Sequence, residues 1–126
     1  MTTASCTRQE PDDSDKLGIG ATVAIMWLCT SSSFLSVVAS RDTPSLLLVR
    51  ARVKGHIERV FPTAKTFTDV DADYRYRAFI DRTEVAKVIA DRLLAIDYDN
   101  FKDSVEDDQL HDAYLKVWSA MHKLQT

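Results

Sequence analysis

Residues 17–40, LGIGATVAIMWLCTSSSFLSVVAS, decide the fold because they form 24 consecutive positions without a charge. That length is sufficient for a membrane-spanning helix. A polar run at 30–33 interrupts its centre, however, and acidic residues rather than a basic cluster precede it. The two halves, 22–29 and 34–39, are rich in Val, Ile, Trp and Phe, which favours two strands joined by a Ser/Thr turn. A membrane anchor through 17–40 remains the alternative.

The rest of the chain predicts two more strands and three helices. Apolar and polar residues alternate at 45–53 and 73–80, as in half-buried strands. Helical spacing predicts a short helix at 54–60, a second helix capped by Asp81 and a third capped by Ser104. We expect the last two helices to supply core side chains: Val88, Ile89, Tyr114 and Trp118. Early strands and late helices predict an α+β two-layer sandwich, an antiparallel sheet of about four strands covered on one face by two to three helices.

Composition indicates one domain and excludes several classes of protein. The 126 residues suffice for one core, with 22–126 as the folded domain and 1–21 as a disordered polar tail. Sixteen Lys and Arg against nineteen Asp and Glu give a net charge of -3, which argues against a protein that coats nucleic acid by bulk charge. Two cysteines cannot form a disulfide framework, and reduced thiols predict a cytoplasmic location.

Four arginines form the first candidate site. Arg50 and Arg52 lie two residues apart on one predicted strand, and Arg75 and Arg77 on another, so each pair shares a face. Arginine suits bidentate capture of phosphate or carboxylate, so neighbouring strands would create a site for a small anionic ligand or a nucleotide. The alternative is a solvated sheet face whose arginines pair with nearby carboxylates: Asp69, Asp71 and Asp73.

Two tyrosines interleave with these arginines, as in sheets that bind single-stranded nucleic acid. Alternation nevertheless places Tyr74 and Tyr76 on the face opposite the arginines, which makes them core aromatics. This geometry and the net charge argue against nucleic acid as a partner.

An acidic segment forms the second candidate site. Residues 97–112 contain seven acids and one Lys. A calcium loop is excluded because Phe101 and Lys102 occupy the positions that need a ligand and a glycine. The segment is typical of a solvated helix N-terminus, and its alternative role is to bind a protein partner through Asp99, Asn100, Asp107 and Asp108.

No spacing typical of catalysis or metal binding occurs. His111 and His122 would lie about 16 Å apart on a helix, too far to share a metal ion. The serines at 31–33 and Cys29 have no adjacent base, and Gly18-Ile19-Gly20 lacks the rest of a phosphate loop. We therefore predict no metal, no cofactor and no catalytic residue.

Four phrases of the sequence are distinctive together: FLSVVA at 34–39, LLVRAR at 47–52, ADYRYR at 72–77 and IDYDNFK at 96–102. They resemble a family of small proteins from bacteria and their phages, over about Trp27 to Met121. The activity of that family is not established, so the resemblance implies no site residues. The sequence predicts a non-enzymatic regulatory or inhibitory protein that binds a protein partner or a second copy of itself.

Overall fold

An antiparallel five-stranded sheet is the centre of the computed structural model, which describes residues 25–125. The strands are β1 (Ile25–Cys29), β2 (Phe34–Ala39), β3 (Leu46–Ala51), β4 (Phe67–Thr68) and β5 (Tyr76–Asp81), in the spatial order β1-β2-β3-β5-β4. The α-helices are α1 (His56–Val60), α2 (Arg82–Leu94) and α3 (Asp108–His122), and a 3₁₀ turn spans Lys102–Ser104. This confirms the predicted α+β fold and adds the short strand β4, which lies between the predicted helix at 54–60 and the predicted strand at 73–80. The predicted tail at 1–21 and residues 22–24 lie outside the described residues.

The uncharged stretch forms two paired strands where the structure describes it. Its Ser/Thr turn closes on itself, since the Thr30 N–H donates to the Ser33 carbonyl at 2.9 Å and the Thr30 hydroxyl donates to the same oxygen at 3.0 Å. The turn sets the register that pairs Cys29 with Phe34 and Trp27 with Ser36. Within residues 25–125, no helix is long and apolar enough to cross a membrane.

The sheet has an inner face, which packs on helices, and an outer face. Val37, Val49 and Ala78 are neighbours across β2, β3 and β5, and all three are buried on the inner face. Ile57 and Val60 of α1 and Val85 of α2 complete this core. Alternation along the strands sends the intervening side chains to the outer face. We define the outer face by the residues paired across it: Trp27, Ser36, Arg50, Arg77 and Phe67, with Val38, Leu48 and Phe79 in the adjacent row.

Side-chain caps decide where the two longer helices begin. Asp81 caps α2 as predicted, because its carboxylate accepts from the Thr83 N–H at 2.9 Å. The prediction that Ser104 caps α3 is wrong. Asp107 is the cap and accepts from the Leu110 N–H at 3.0 Å, whereas the Ser104 hydroxyl closes the 3₁₀ turn.

The predicted core residues of the helices are confirmed for α2 and confirmed only in part for α3. Val88 and Ile89 pack against the core, and Tyr114 is buried. Trp118 was expected in the core but is 50% exposed. The reason is that α3 is buried against the rest of the protein at Tyr114 alone, so the apolar stripe beyond this residue remains uncovered.

Two neighbouring aspartates provide a matched test of the α3 cap. We expect Asp107→Ala to lower the free energy of unfolding by about 1 kcal/mol, because it removes the acceptor of the Leu110 N–H. Asp108→Ala removes the same charge from the first turn without removing a cap. Urea unfolding of both variants measures the difference, and equal losses would contradict the role of Asp107.

Candidate functional site

The predicted arginine cluster forms, with three of its four members. Strands β3 and β5 are neighbours, and Arg50 and Arg77 face each other as Cα partners on the outer face. Arg52 follows the end of β3. Arg75 precedes β5 and is exposed, and among residues 25–125 its side chain shares no hydrogen-bond partner or ion pair with the other three. We call Arg50, Arg52 and Arg77 the arginine cluster.

Tyr74 is the residue on which the arginine cluster converges. The guanidinium carbons of Arg50 and Arg52 lie 4.4 and 4.0 Å from the centre of its ring, within the range of a cation–π interaction. Arg77 Nη1 donates to the Tyr74 carbonyl at 3.1 Å. The prediction that Tyr74 lies opposite the arginines is therefore wrong. Strand β5 begins only at Tyr76, so Tyr74 lies in the preceding bend and does not follow the alternation of the strand.

No carboxylate neutralises the arginine cluster among the described residues, where the one ion pair within 4.0 Å joins two residues of α2. The aspartates considered as partners have other contacts. Asp73 accepts the Tyr74 N–H at 2.8 Å, and Asp69 accepts the Asp71 N–H at 3.1 Å. Arg52 donates to the main-chain carbonyl of Asp73, at 2.8 Å, rather than to its carboxylate. The cluster thus keeps its full positive charge.

The positions of Arg50 and Arg77 destabilise the sheet. Arg50 and Arg77 are like charges directly across from each other, which destabilises an antiparallel pair. Arg50 Nη2 donates to the buried Ser36 Oγ at 2.8 Å, but Arg50 Nε is buried with no hydrogen-bond partner. A buried donor without a partner also costs stability. Local features that lower the stability of the fold in this way are typical of functional sites.

A groove of about 350 Å³ continues from the arginine cluster toward α3. Arg52 belongs to both the arginine cluster and the groove, and Tyr74 also lines the groove. Aromatic and apolar side chains from both sides of the groove form most of its wall. Its principal lining residues are Trp27, Phe34, His56, Leu110, Tyr114 and Val117. Small-molecule sites commonly combine such a volume with a mainly apolar wall and few polar groups. A wider cleft of about 800 Å³, beside β1 and the end of α2, contains none of the predicted site residues.

His56 is a buried titratable group in the wall of this groove. It is 3% exposed, and its Nδ1 accepts the Phe34 N–H at 3.1 Å, which fits a neutral imidazole. Burial lowers the pKa of His56 below its ordinary value of 6.5, and the charge of Arg59 lowers this pKa further, while Asp107 acts in the opposite direction. The imidazole is therefore neutral at pH 7.

We expect the free energy of unfolding to decrease as the pH falls below about 6.5. The unfolded chain binds a proton on His56 in a range where the folded chain does not, so the contribution is complete above 6.5 and is lost toward the lower, folded pKa. Urea unfolding between about pH 7.5 and 5.5 measures the slope. His56→Gln should flatten the slope, and a His111→Asn/His122→Asn variant should retain it. The same slope in the His56→Gln variant would contradict this assignment.

Two of the four candidate residues in the acidic segment have local structural roles, and for the other two only their exposure is described. Asn100 and Asp107 have local structural roles: the Asn100 side-chain oxygen Oδ1 accepts the Lys102 N–H at 3.1 Å, and Asp107 caps α3. Asp99 and Asp108 are exposed. Within residues 25–125, no group of three His, Cys, Asp or Glu side chains could hold a metal ion.

Ser36 and Tyr74 were not predicted from the sequence as parts of this site. The hairpin register could have indicated Ser36, because a turn at 30–33 pairs it with Trp27 and leaves it on the outer face. The position of Tyr74 depends on the bend before β5, which has no periodic signal. No protein-family model, curated protein or solved structure matches the chain, so the resemblance to bacterial and phage proteins stays a prediction and function is argued from the site.

Proposed function

We propose that this is a non-enzymatic binding protein that holds an anionic ligand on the arginine cluster. The observation that carries the proposal is the convergence of three guanidinium groups on Tyr74, with no carboxylate of residues 25–125 within 4.0 Å of them. Each guanidinium has five N–H donors, and the contacts described above use only some of them. The remaining donors suit phosphate or carboxylate oxygens.

An anion would also remove the strain in the site. It would screen the repulsion between Arg50 and Arg77 and offer acceptors to Arg52, whose side chain is exposed at the mouth of the groove. Binding would then stabilise the folded chain by an amount that grows with the logarithm of the ligand concentration above the dissociation constant.

Thermal unfolding in sodium pyrophosphate tests this proposal. We expect roughly 10 mM pyrophosphate to raise the melting temperature by about 3–6 °C relative to NaCl of equal ionic strength, as for a dissociation constant near 1 mM. Arg52→Ala and Arg77→Gln should each reduce this increase. Arg41→Ala removes an exposed arginine from the loop after β2 and should keep it. An equal increase in all four proteins, or none in the wild type, would contradict the proposal.

Protein binding through the acidic segment is the second candidate function, and it is supported by exposed apolar side chains on the same helix. Val117, Trp118, Met121 and Leu124 are 39% to 75% exposed on or just beyond α3, which begins at the acidic residues. Exposed apolar patches of this kind often mark interfaces. Affinity capture should compare the wild type with Asp99→Lys/Asp108→Lys, which reverses two exposed charges and keeps the Asp107 cap. A partner held equally by both proteins would contradict a role for the acidic residues.

A further inference from the structure

One row of side chains crosses all five strands of the outer face. Cα pairing joins Trp27 to Ser36, Ser36 to Arg50, Arg50 to Arg77 and Arg77 to Phe67. Four strand spacings of about 4.8 Å make this row roughly 19 Å long. Two adjacent arginines therefore lie in the middle of the row, with an aromatic ring at each end.

The aromatic rings at both ends are open to solvent. Trp27 is 59% exposed and contacts Phe34 edge to face, with ring centres 5.5 Å apart. Phe67 and Phe79 are 43% and 49% exposed and stack nearly parallel at 5.8 Å. None of these rings belongs to the core on the inner face. Exposed aromatic surface on both sides of a cationic centre indicates a ligand that has both flat rings and negative charges.

We infer that the outer face binds single-stranded nucleic acid, with bases stacked on the end aromatics and phosphates held by Arg50 and Arg77. This inference rests on the proposed function and names its ligand class. A single strand has exposed base faces, which can stack on the aromatic rings at the ends of the row, and phosphates between them, which can bind the two arginines. Four-stranded sheets that bind single-stranded RNA stack two or three bases on their aromatics. Duplex DNA hides its base faces and would leave the rings at both ends without contacts.

In the structure, the geometric argument against nucleic acid as a partner no longer holds. That argument concerned Tyr74 and Tyr76. Tyr76 does lie opposite the arginines, but Tyr74 contacts two of them, and Trp27, Phe67 and Phe79 lie on the outer face with Arg50 and Arg77. The net charge of -3 still limits the electrostatic contribution. Two phosphate contacts to a single strand would give a slope of log K against log salt of only about -1.4, so stacking must supply much of the affinity.

Fluorescence anisotropy with a labelled single strand of about 12 thymidine nucleotides tests the inference. We expect Phe79→Ala to weaken binding by about tenfold, because it removes one stacking surface from a half-exposed position that the core does not use. Arg77→Gln should reduce the salt slope by about 0.7. Leu94→Ala, at an 86% exposed position of α2, and Arg41→Ala are the matched controls and should bind like the wild type.

Four outcomes overturn the inference. A Phe79→Ala variant that binds like the wild type would exclude stacking, and equal affinity for a duplex of the same length would exclude recognition of base faces. If the single strand does not bind while pyrophosphate still raises the melting temperature through the arginine cluster, the inference fails and the proposed function stands. If neither probe binds, both fail.

Discussion

Replacing Tyr114 by alanine is expected to lower the free energy of unfolding by about 4 kcal/mol and to detach α3 from the sheet. Tyr114 is the one α3 residue, within the described part of the chain, that is buried. Its ring lies 5.3 Å from that of Phe101, and its hydroxyl is 2.9 Å from the Thr30 carbonyl and 2.7 Å from the Ser33 carbonyl. Loss of this ring removes the principal contact between α3 and the β1–β2 turn.

Urea unfolding and hydrogen exchange together measure this effect. Unfolding gives the total loss, and exchange shows whether the α3 amides lose protection before those of the sheet. Tyr114→Phe keeps the ring and removes the hydroxyl, so we expect a loss of about 1–2 kcal/mol. Burial raises the pKa of the Tyr114 hydroxyl well above its usual range, so the hydroxyl remains a donor at neutral pH.

Trp118→Ala is the control for size. This variant deletes a larger ring from the same helix, but Trp118 is 50% exposed and contacts mainly His122 and Lys102. We expect a loss below that of Tyr114→Phe. A loss equal to that of Tyr114→Ala would mean that α3 is held along its whole apolar stripe.

The features that the sequence predicted correctly depend on local chemistry. The Ser/Thr turn at 30–33 closes through hydrogen bonds between neighbours, and Asp81 caps α2 within two residues. The alternating segments became β3 and β5 because one face of each had to be buried. These signals are contained in a few consecutive residues, so a single sequence reveals them.

The features that could not be predicted from the sequence depend on which helices and strands pack against each other. An apolar stripe shows that α3 can pack but not how much of it is covered, so Trp118 was wrongly expected in the core. Alternation predicts faces only inside a strand, and Tyr74 lies two residues before β5 begins. The arginine cluster was expected only if its two strands were neighbours, and strand order follows from tertiary packing.

The pairing of Ser36 with Arg50 leads to a second large effect, which depends on whether both partners are changed. We expect Arg50→Met alone to cost about 2 kcal/mol, because the fully buried Ser36 hydroxyl loses the one hydrogen bond described for it. Ser36→Ala alone should cost about 1 kcal/mol, since Arg50 then loses an acceptor. The double variant Ser36→Ala/Arg50→Met should be close to the wild type or more stable.

A double-mutant cycle by urea unfolding measures this coupling, expected at about 2–3 kcal/mol. The double variant removes the buried Nε without a partner and the repulsion between Arg50 and Arg77. It should nevertheless lose the increase in melting temperature with pyrophosphate, because one guanidinium of the arginine cluster is gone. Additive losses in the cycle would contradict the pairing. Stability recovered while anion binding is lost would show that Arg50 is retained for its ligand rather than for the fold.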